Sequence, residues 1–181
     1  MSSGLESLHV LLADDNPHMR AIVAAVLHGV GLTQVRECGD GAEALKVLRE
    51  WPADMAIVDF QMSPMDGVAF TRKVRNAPDS PNPYLPIVMM TGHSERSRVF
   101  EARDAGVTEF VAKPVTAKAV LDRIHAVIYR PRPFVRTPDY FGPDRRRRDD
   151  PAHPGPWRRA SDPGVVPVGP GPSSRKLGGK L

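Results

Sequence analysis

Five side chains in this sequence could do chemistry together: Asp14, Asp15, Asp59, Thr91 and Lys113. Three clustered carboxylates repel one another unless a cation neutralises them. An all-oxygen donor set completed by water suits Mg²⁺. With such an ion in place, a carboxylate can attack phosphorus and form an aspartyl phosphate. Lys113 and the metal would hold the phosphoryl oxygens as charge moves in the transfer. The hydroxyl of Thr91 would bond one of those oxygens only while it is there, and a bond present in one state alone is what a switch requires. Taken singly, each residue has a plainer explanation. An Asp after a strand usually forms a turn or caps a helix, and a lone Thr or Lys is structural or solvated surface. The set has meaning only if the fold gathers it.

In an open α/β sheet the site lies beyond the carboxyl ends of the strands. Short β-branched runs read as strands at His9–Ala13, Thr33–Glu37, Met55–Asp59, Pro86–Met90 and Glu109–Val111. The first, third and fourth are almost wholly apolar, as strands covered on both faces must be. Asp14-Asp15 then follow the first strand, Asp59 ends the third, Thr91 ends the fourth and Lys113 follows the fifth, all on one rim. Helical stripes alternate with the strands: Ile22, Val23, Val26, Leu27 and Val30; Ala44, Leu45 and Leu48; Val68, Phe70, Thr71 and Val74; Leu121, Ile124, Val127 and Ile128. Asn16-Pro17 reads as an N-cap followed by Pro at the first helical position. Asp40 with Glu43 reads as a capping box. Ser94 and Thr116 are placed to cap the last two helices, and Gly31 and Gly106 to end helices. The pattern predicts a (βα)5 doubly wound parallel sheet. The four prolines of residues 76–86 predict a long loop before the fourth strand.

The chain of 181 residues divides by charge. Residues 1–130 hold 14 Lys and Arg against 16 Asp and Glu, whereas residues 131–181 hold 11 against 5. The basic balance therefore belongs to the tail. Eleven of the 19 prolines also lie there, without sustained hydrophobic periodicity. The tail is expected to be disordered, or ordered only locally against the domain. One cysteine, Cys38, allows no internal disulfide and no multi-cysteine metal site. No apolar run reaches the ~20 residues needed to span a bilayer. The N-terminus shows no basic region leading into an apolar stretch. The expectation is a soluble cytoplasmic protein.

Asp14-Asp15, the stretch from Asp59 to Gly67, Thr91-Gly92 and Lys113-Pro114 resemble the signature of the response-regulator receiver family of two-component signalling. The resemblance spans residues 8 to about 128. It implies the flavodoxin-like strand order 2-1-3-4-5, for which the chemotaxis receiver is a type example. It further implies that Asp59 accepts phosphate from a phosphohistidine on a sensor histidine kinase or histidine phosphotransfer protein. Asp15, Asp59 and the backbone carbonyl of Gln61 would ligate Mg²⁺, with Asp14 acting largely through water. Lys113-Pro114 would be cis. Phe110 falls at the aromatic switch position, and its plainer role is a half-buried core aromatic. Gly92 would leave the phosphate accessible, while Gln61 and His93 stand where side chains set the lifetime of the phosphorylated state. Two departures are visible: Pro64 is displaced by one position in Met62-Ser63-Pro64, and the loop at 76–86 is longer than usual. Neither removes a chemical group.

Residues 131–181 are too few and too polar for an appended helix-turn-helix domain. They carry Pro133-Phe134-Val135-Arg136, Tyr140-Phe141-Gly142-Pro143-Asp144, the run Arg145–Arg148, and Trp157-Arg158-Arg159. Aromatics beside arginines suit single-stranded nucleic acid or an acidic protein face, and an arginine block suits anionic lipid. A solvated basic linker is the plainer reading. The leading expectation is a phosphorylation-controlled binding module, a receiver in residues 1–130 with a basic tail in 131–181. Its output would be contact with an unidentified protein through the face of the fourth helix, fifth strand and fifth helix. A nucleic-acid regulator acting through the tail is the alternative. A phosphohydrolase or flavin protein fits less well. Ala13–Pro17 lacks a Ser/Thr/Gly-rich phosphate loop, and no second acidic residue follows Asp59 as general acid. No activity beyond handling its own phosphate is expected.

Overall fold

Alternate residues of the buried strands feed opposite sides of one sheet, as the two-residue period of a strand requires. In the computed structural model, which describes residues 5–92, 98–144 and 166–168, five parallel strands stand in the order β2-β1-β3-β4-β5. They are β1 (His9–Ala13), β2 (Gln34–Cys38), β3 (Met55–Asp59), β4 (Ile87–Thr91) and β5 (Glu109–Ala112). Helices α1 (Pro17–Gly29), α2 (Gly41–Glu50), α3 (Gly67–Asn76), α4 (Val99–Ala105) and α5 (Ala117–Tyr129) connect or follow them. This is the flavodoxin-like fold anticipated above. Strand limits differ from the sequence reading by a single residue at β2, β4 and β5, the usual uncertainty of an element's end.

Val10, Leu12, Met55, Ile57, Val88 and Met90 pack with Val23 and Leu27 of α1 and with Val120, Ile124 and Val127 of α5. On the other side, Leu11, Ala13, Ala56, Val58 and Ile87 meet Ala44 and Leu48 of α2 and Phe70 and Val74 of α3. A third cluster lies under α4 and joins Phe60, Val68, Met89, Ala102, Ala105 and Val107, with Phe110 partly buried beside it. The caps follow the sequence. Asn16 Oδ1 accepts from the amides of His18 and Met19, Asp40 caps α2, and Thr116 Oγ1 accepts from Ala119 N. Gly31 and Gly106 take φ of +95° and +101° at helix ends, a region that favours glycine. Ser94 lies outside the described residues. The fourth helix starts at Val99, and Arg98 before it makes no side-chain cap bond. Among the described residues, no helix is long and apolar enough to cross a membrane.

Beyond residue 130, where disorder is expected or at most local order against the domain, the described residues 131–144 depart from a disordered tail and are ordered against the domain. Strands β6 (Phe134–Thr137) and β7 (Tyr140–Pro143) form an antiparallel hairpin across Pro138-Asp139. Strand β8 (Val166–Val168) pairs with β6. The two aromatic-rich stretches noted in the sequence are thus the two arms of one hairpin. Phe134 and Phe141 are buried, and Tyr84, from the proline-rich loop, packs on both rings at 5.1 and 5.4 Å. A side chain at Gly142 would come within 2.6 Å of the Tyr140 hydroxyl and 3.0 Å of Gly106 Cα, so only glycine permits this approach.

Beneath the hairpin lies a buried cation. Arg75, 2% exposed, donates from Nε to the Gly106 carbonyl at 3.0 Å and from Nη1 to the Pro83 carbonyl at 2.7 Å. Its guanidinium stands 5.0 Å from the Phe134 ring centre. Burial pulls its pKa down to about 9, which leaves it charged at neutral pH. Such a charge needs partners on its donors; Nε and Nη1 have them, while the buried Nη2 makes no hydrogen bond among the described residues. A second tie joins Arg132 to the buried Glu109 at 2.6 Å. The arginine blocks at 145–148 and 158–159 lie outside the described residues. Phe134→Ala is expected to lower unfolding free energy by about 2–3 kcal/mol, below the usual Phe-to-Ala range because the hairpin can lift off as a unit. Urea denaturation of the full chain checks this, and an unchanged midpoint would mean that the hairpin adds nothing to the folded unit.

Candidate functional site

Each acidic residue is delivered by the end of a strand. Asp14 follows β1, and its amide extends the sheet by donating to the Cys38 carbonyl at 3.2 Å. Its side chain is fully buried, and Oδ1 accepts from Asn16 N at 2.9 Å. Arg20 Nη1 bonds the Asp14 carbonyl at 2.7 Å. Asp15 is exposed and accepts from Ser63 N at 3.1 Å, tying the loop after β1 to the loop after β3. Asp59 closes β3 and is 6% exposed. The turn behind it is cut close: a side chain at Gly67 would collide with the Asp59 carbonyl oxygen. Asp66 caps α3 through Ala69 N at 2.7 Å. In the sequence this Asp-Gly pair is legible as a helix start as well as part of the motif.

The lysine arrives from the far side. Lys113 N donates to the Thr91 carbonyl at 2.8 Å, and the Lys113-Pro114 peptide is cis, as the resemblance implies. Ser63-Pro64 is cis as well, at the displaced proline. The Lys113 ammonium reaches Asp59 Oδ1 at 2.8 Å and Asp14 Oδ2 at 3.5 Å. Carboxylate oxygens of Asp14, Asp15 and Asp59 all lie within 4.8 Å of one another. Thr91, the last residue of β4, is buried. Four of the five chemical groups therefore meet, and the fifth stands at the end of the neighbouring strand.

Burial raises the pKa of Asp59, and the charge of Asp14 adds to that, against the Lys113 hydrogen bond and charge. Burial alone would lower Lys113, but its hydrogen bond and attraction to Asp59, with the further pull of Asp14, leave it raised and firmly charged. The pocket holds more negative than positive charge, all of it on hard oxygen donors, which fits a divalent cation.

The remaining expected residues are spread around this centre. The Gln61 side chain is exposed, two positions past Asp59. His93 lies outside the described residues. Phe110, on β5 opposite Met89, is half-buried beside the cluster under α4 and makes no part of the acidic pocket. Its carbonyl accepts from Arg123 Nε at 2.8 Å. One contact had no sequence signal: Arg98 lies 4.9 Å over the ring of Phe60, the residue after Asp59.

A doubly wound parallel domain with acidic groups at the ends of β1 and β3, and a lysine past β5, defines a phosphoacceptor class of α/β proteins. Residues 10–125 match the family model of the response regulator receiver domain, and the chain belongs to that family. It is 33% identical to the chemotaxis protein CheY of Pseudomonas aeruginosa over 123 residues, which cover 68% of this chain and 98% of that protein. The solved chemotaxis response regulator CheY4 of Vibrio cholerae matches with a TM-score of 0.60 at 29% identity, over 67% of this chain and 98% of that one. The receiver domain of a Pseudomonas aeruginosa sensor histidine kinase, solved with magnesium in its active-site cleft, matches with a TM-score of 0.57 at 27% identity, over 66% of this chain and 94% of that one. The chain is a phosphoacceptor signalling domain.

A divalent cation that binds only the folded pocket stabilises by about 1.4 kcal/mol at ten times its dissociation constant. Adding MgCl₂ is expected to raise Tm by a few degrees in the wild type. Asp15→Asn should abolish that rise in a thermal melt, and an equal rise in both proteins would place the cation elsewhere.

Proposed function

We propose that Asp59 takes a phosphoryl group from a phosphohistidine on a sensor histidine kinase or histidine phosphotransfer protein. The observation that carries the proposal is the 2.8 Å contact of Lys113 with Asp59 inside a cluster of three carboxylates. An Asp59 oxygen attacks phosphorus, the O–P bond forms and the P–N bond to imidazole breaks. The electron pair returns to the ring nitrogen, which then takes up a proton. Lys113 turns from the carboxylate to a phosphoryl oxygen and balances charge through the transfer. Mg²⁺ would be held by Asp15, Asp59 and the Gln61 carbonyl, with Asp14 acting through water, and it would neutralise the phosphoryl oxygens. In the product, Thr91 donates its hydroxyl to the phosphoryl group and Phe110 turns inward. Gln61 and His93 govern access of water to the acyl phosphate.

Output is protein–protein contact through the α4–β5–α5 face, where Phe110 lies. The protein handles only its own phosphate and turns over no separate substrate. The buried free thiol of Cys38 is compatible with a reducing compartment, and we place the protein in the cytoplasm.

Phosphorylated donor protein with MgCl₂ is expected to label the wild type and leave Asp59→Asn unlabelled, as read by Phos-tag electrophoresis. Equal labelling of both would remove Asp59 as acceptor. Lys113→Ala, with the same donor, is expected to slow uptake on the order of 10²- to 10³-fold, the scale of losing one aligned electrostatic stabiliser. A rate within twofold of wild type would sink the role given to Lys113.

A further inference from the structure

We infer that the C-terminal hairpin, residues 134–144, is an intramolecular regulator that holds α4 and so biases the phosphorylation site. The inference rests on Asp59 being the acceptor. The match to the receiver family ends at residue 125, and the hairpin lies beyond it.

Of the five helices among the described residues, α4 is held least by its own burial. It has seven residues, lacks a side-chain cap, and buries only Ala102 and Ala105. By contrast, α1 buries Val23, Ala24 and Leu27, and α5 buries Val120, Ile124 and Val127. What positions α4 is gripped at its two ends. At the start, Arg98 lies over the Phe60 ring, directly next to Asp59 in sequence, and Glu101 pairs with Arg98 and with Arg72 of α3. At the end, the Gly106 carbonyl accepts from Arg75, whose guanidinium is covered by Phe134 of the hairpin. There too the hairpin backbone closes in: a side chain at Gly106 would lie 3.2 Å from the Phe141 carbonyl, and one at Gly142 would lie 3.0 Å from Gly106 Cα. Phe60 shares its apolar cluster with Ala102 and Ala105. Hairpin, α4 and the residue beside the acceptor thus form one continuous packed path.

The sign follows from which arrangement the hairpin grips. Lys113 is bonded here to the Asp59 carboxylate itself. Phosphorylation converts that carboxylate to an acyl phosphate, moves the negative charge that Lys113 pairs with onto the phosphoryl oxygens, and gives Thr91, seven positions before Arg98, a new acceptor to reach. A hairpin that fits α4 in the carboxylate arrangement opposes the phosphorylated one, and linkage makes the opposition mutual.

The test is hydrogen exchange of the full chain with and without beryllofluoride and Mg²⁺, which together mimic the aspartyl phosphate. The expected result is loss of protection at β6–β7 amides of about fivefold or more, within the usual span of coupling between sites. Phe134→Leu keeps an apolar side chain but removes the ring from Arg75. It should raise beryllofluoride affinity by a comparable factor in isothermal titration, and Asp59→Asn should show neither effect. If beryllofluoride alters exchange around Asp59 while hairpin protection is unchanged or increased, the inference fails and the phosphoacceptor reading stands. If beryllofluoride alters exchange nowhere and gives no binding heat, the phosphoacceptor reading fails and takes the inference with it. Should Phe134→Leu not fold, exchange in the wild type decides alone.

Discussion

Three carboxylates within 4.8 Å of one another, one of them fully buried, repel strongly in a low-dielectric setting. Much of the local structure is the means of holding them there. Asp14 and Asp59 come from adjacent parallel strands in fixed register, with Ala13 opposite Val58, so their separation is set by the sheet and not by a mobile loop. Lys113 crosses from the far end of β5 to reach both. Backbone amides at Asn16 and Ser63 supply further bonds. The repulsion that survives favours a bound cation, and phosphorylation, which exchanges the Asp59 carboxylate charge for that of a phosphoryl dianion, keeps the need for one. The same excess of charge therefore serves binding and signalling.

A second buried charge organises the opposite end of the domain. Arg75 sits deep between α3, the Gly106 turn and the loop at Pro83, where an uncovered guanidinium would attract water into the core. Phe134 shields it, and Tyr84, Phe134 and Phe141 complete an aromatic cluster around it. The long proline-rich loop looks gratuitous in a bare receiver. It makes sense as the platform that carries Tyr84 to the hairpin.

The strands, four of the helices and the acidic rim were legible because they rest on local signals, whereas the strand order came from the family resemblance and α4 carried no apolar stripe. Apolar runs marked β1, β3 and β4, Asn16-Pro17 and Thr116 marked helix starts, and Asp14, Asp15, Asp59 and Lys113 occupied the strand ends where a doubly wound fold places its site. The hairpin was not legible as folded structure for a physical reason. Its strands are four residues long, flanked by prolines, and bury their aromatics against Arg75 and Tyr84. Periodicity within residues 131–181 cannot report a partner some fifty residues away. Arg98 on Phe60 was hidden likewise, since nothing in the sequence around Arg98 signals a ring beneath it.

The domain thus distributes its stability unevenly, and the unevenness has a direction. Leucine, isoleucine and valine side chains anchor α1 and α5 deep in the core, whereas α4 presents two alanines and depends on contacts at its termini. An element held by its ends moves as a rigid piece when either end is disturbed, because its middle offers few contacts to break. Placing that element between the acceptor aspartate and the hairpin makes it responsive to both. Replacing Ala102 or Ala105 by larger apolar residues would not simply improve packing. The cluster under α4 is already filled by Phe60, Val68, Met89 and Val107, so added volume would displace the helix. The small residues are what allow α4 to lie close to Phe60.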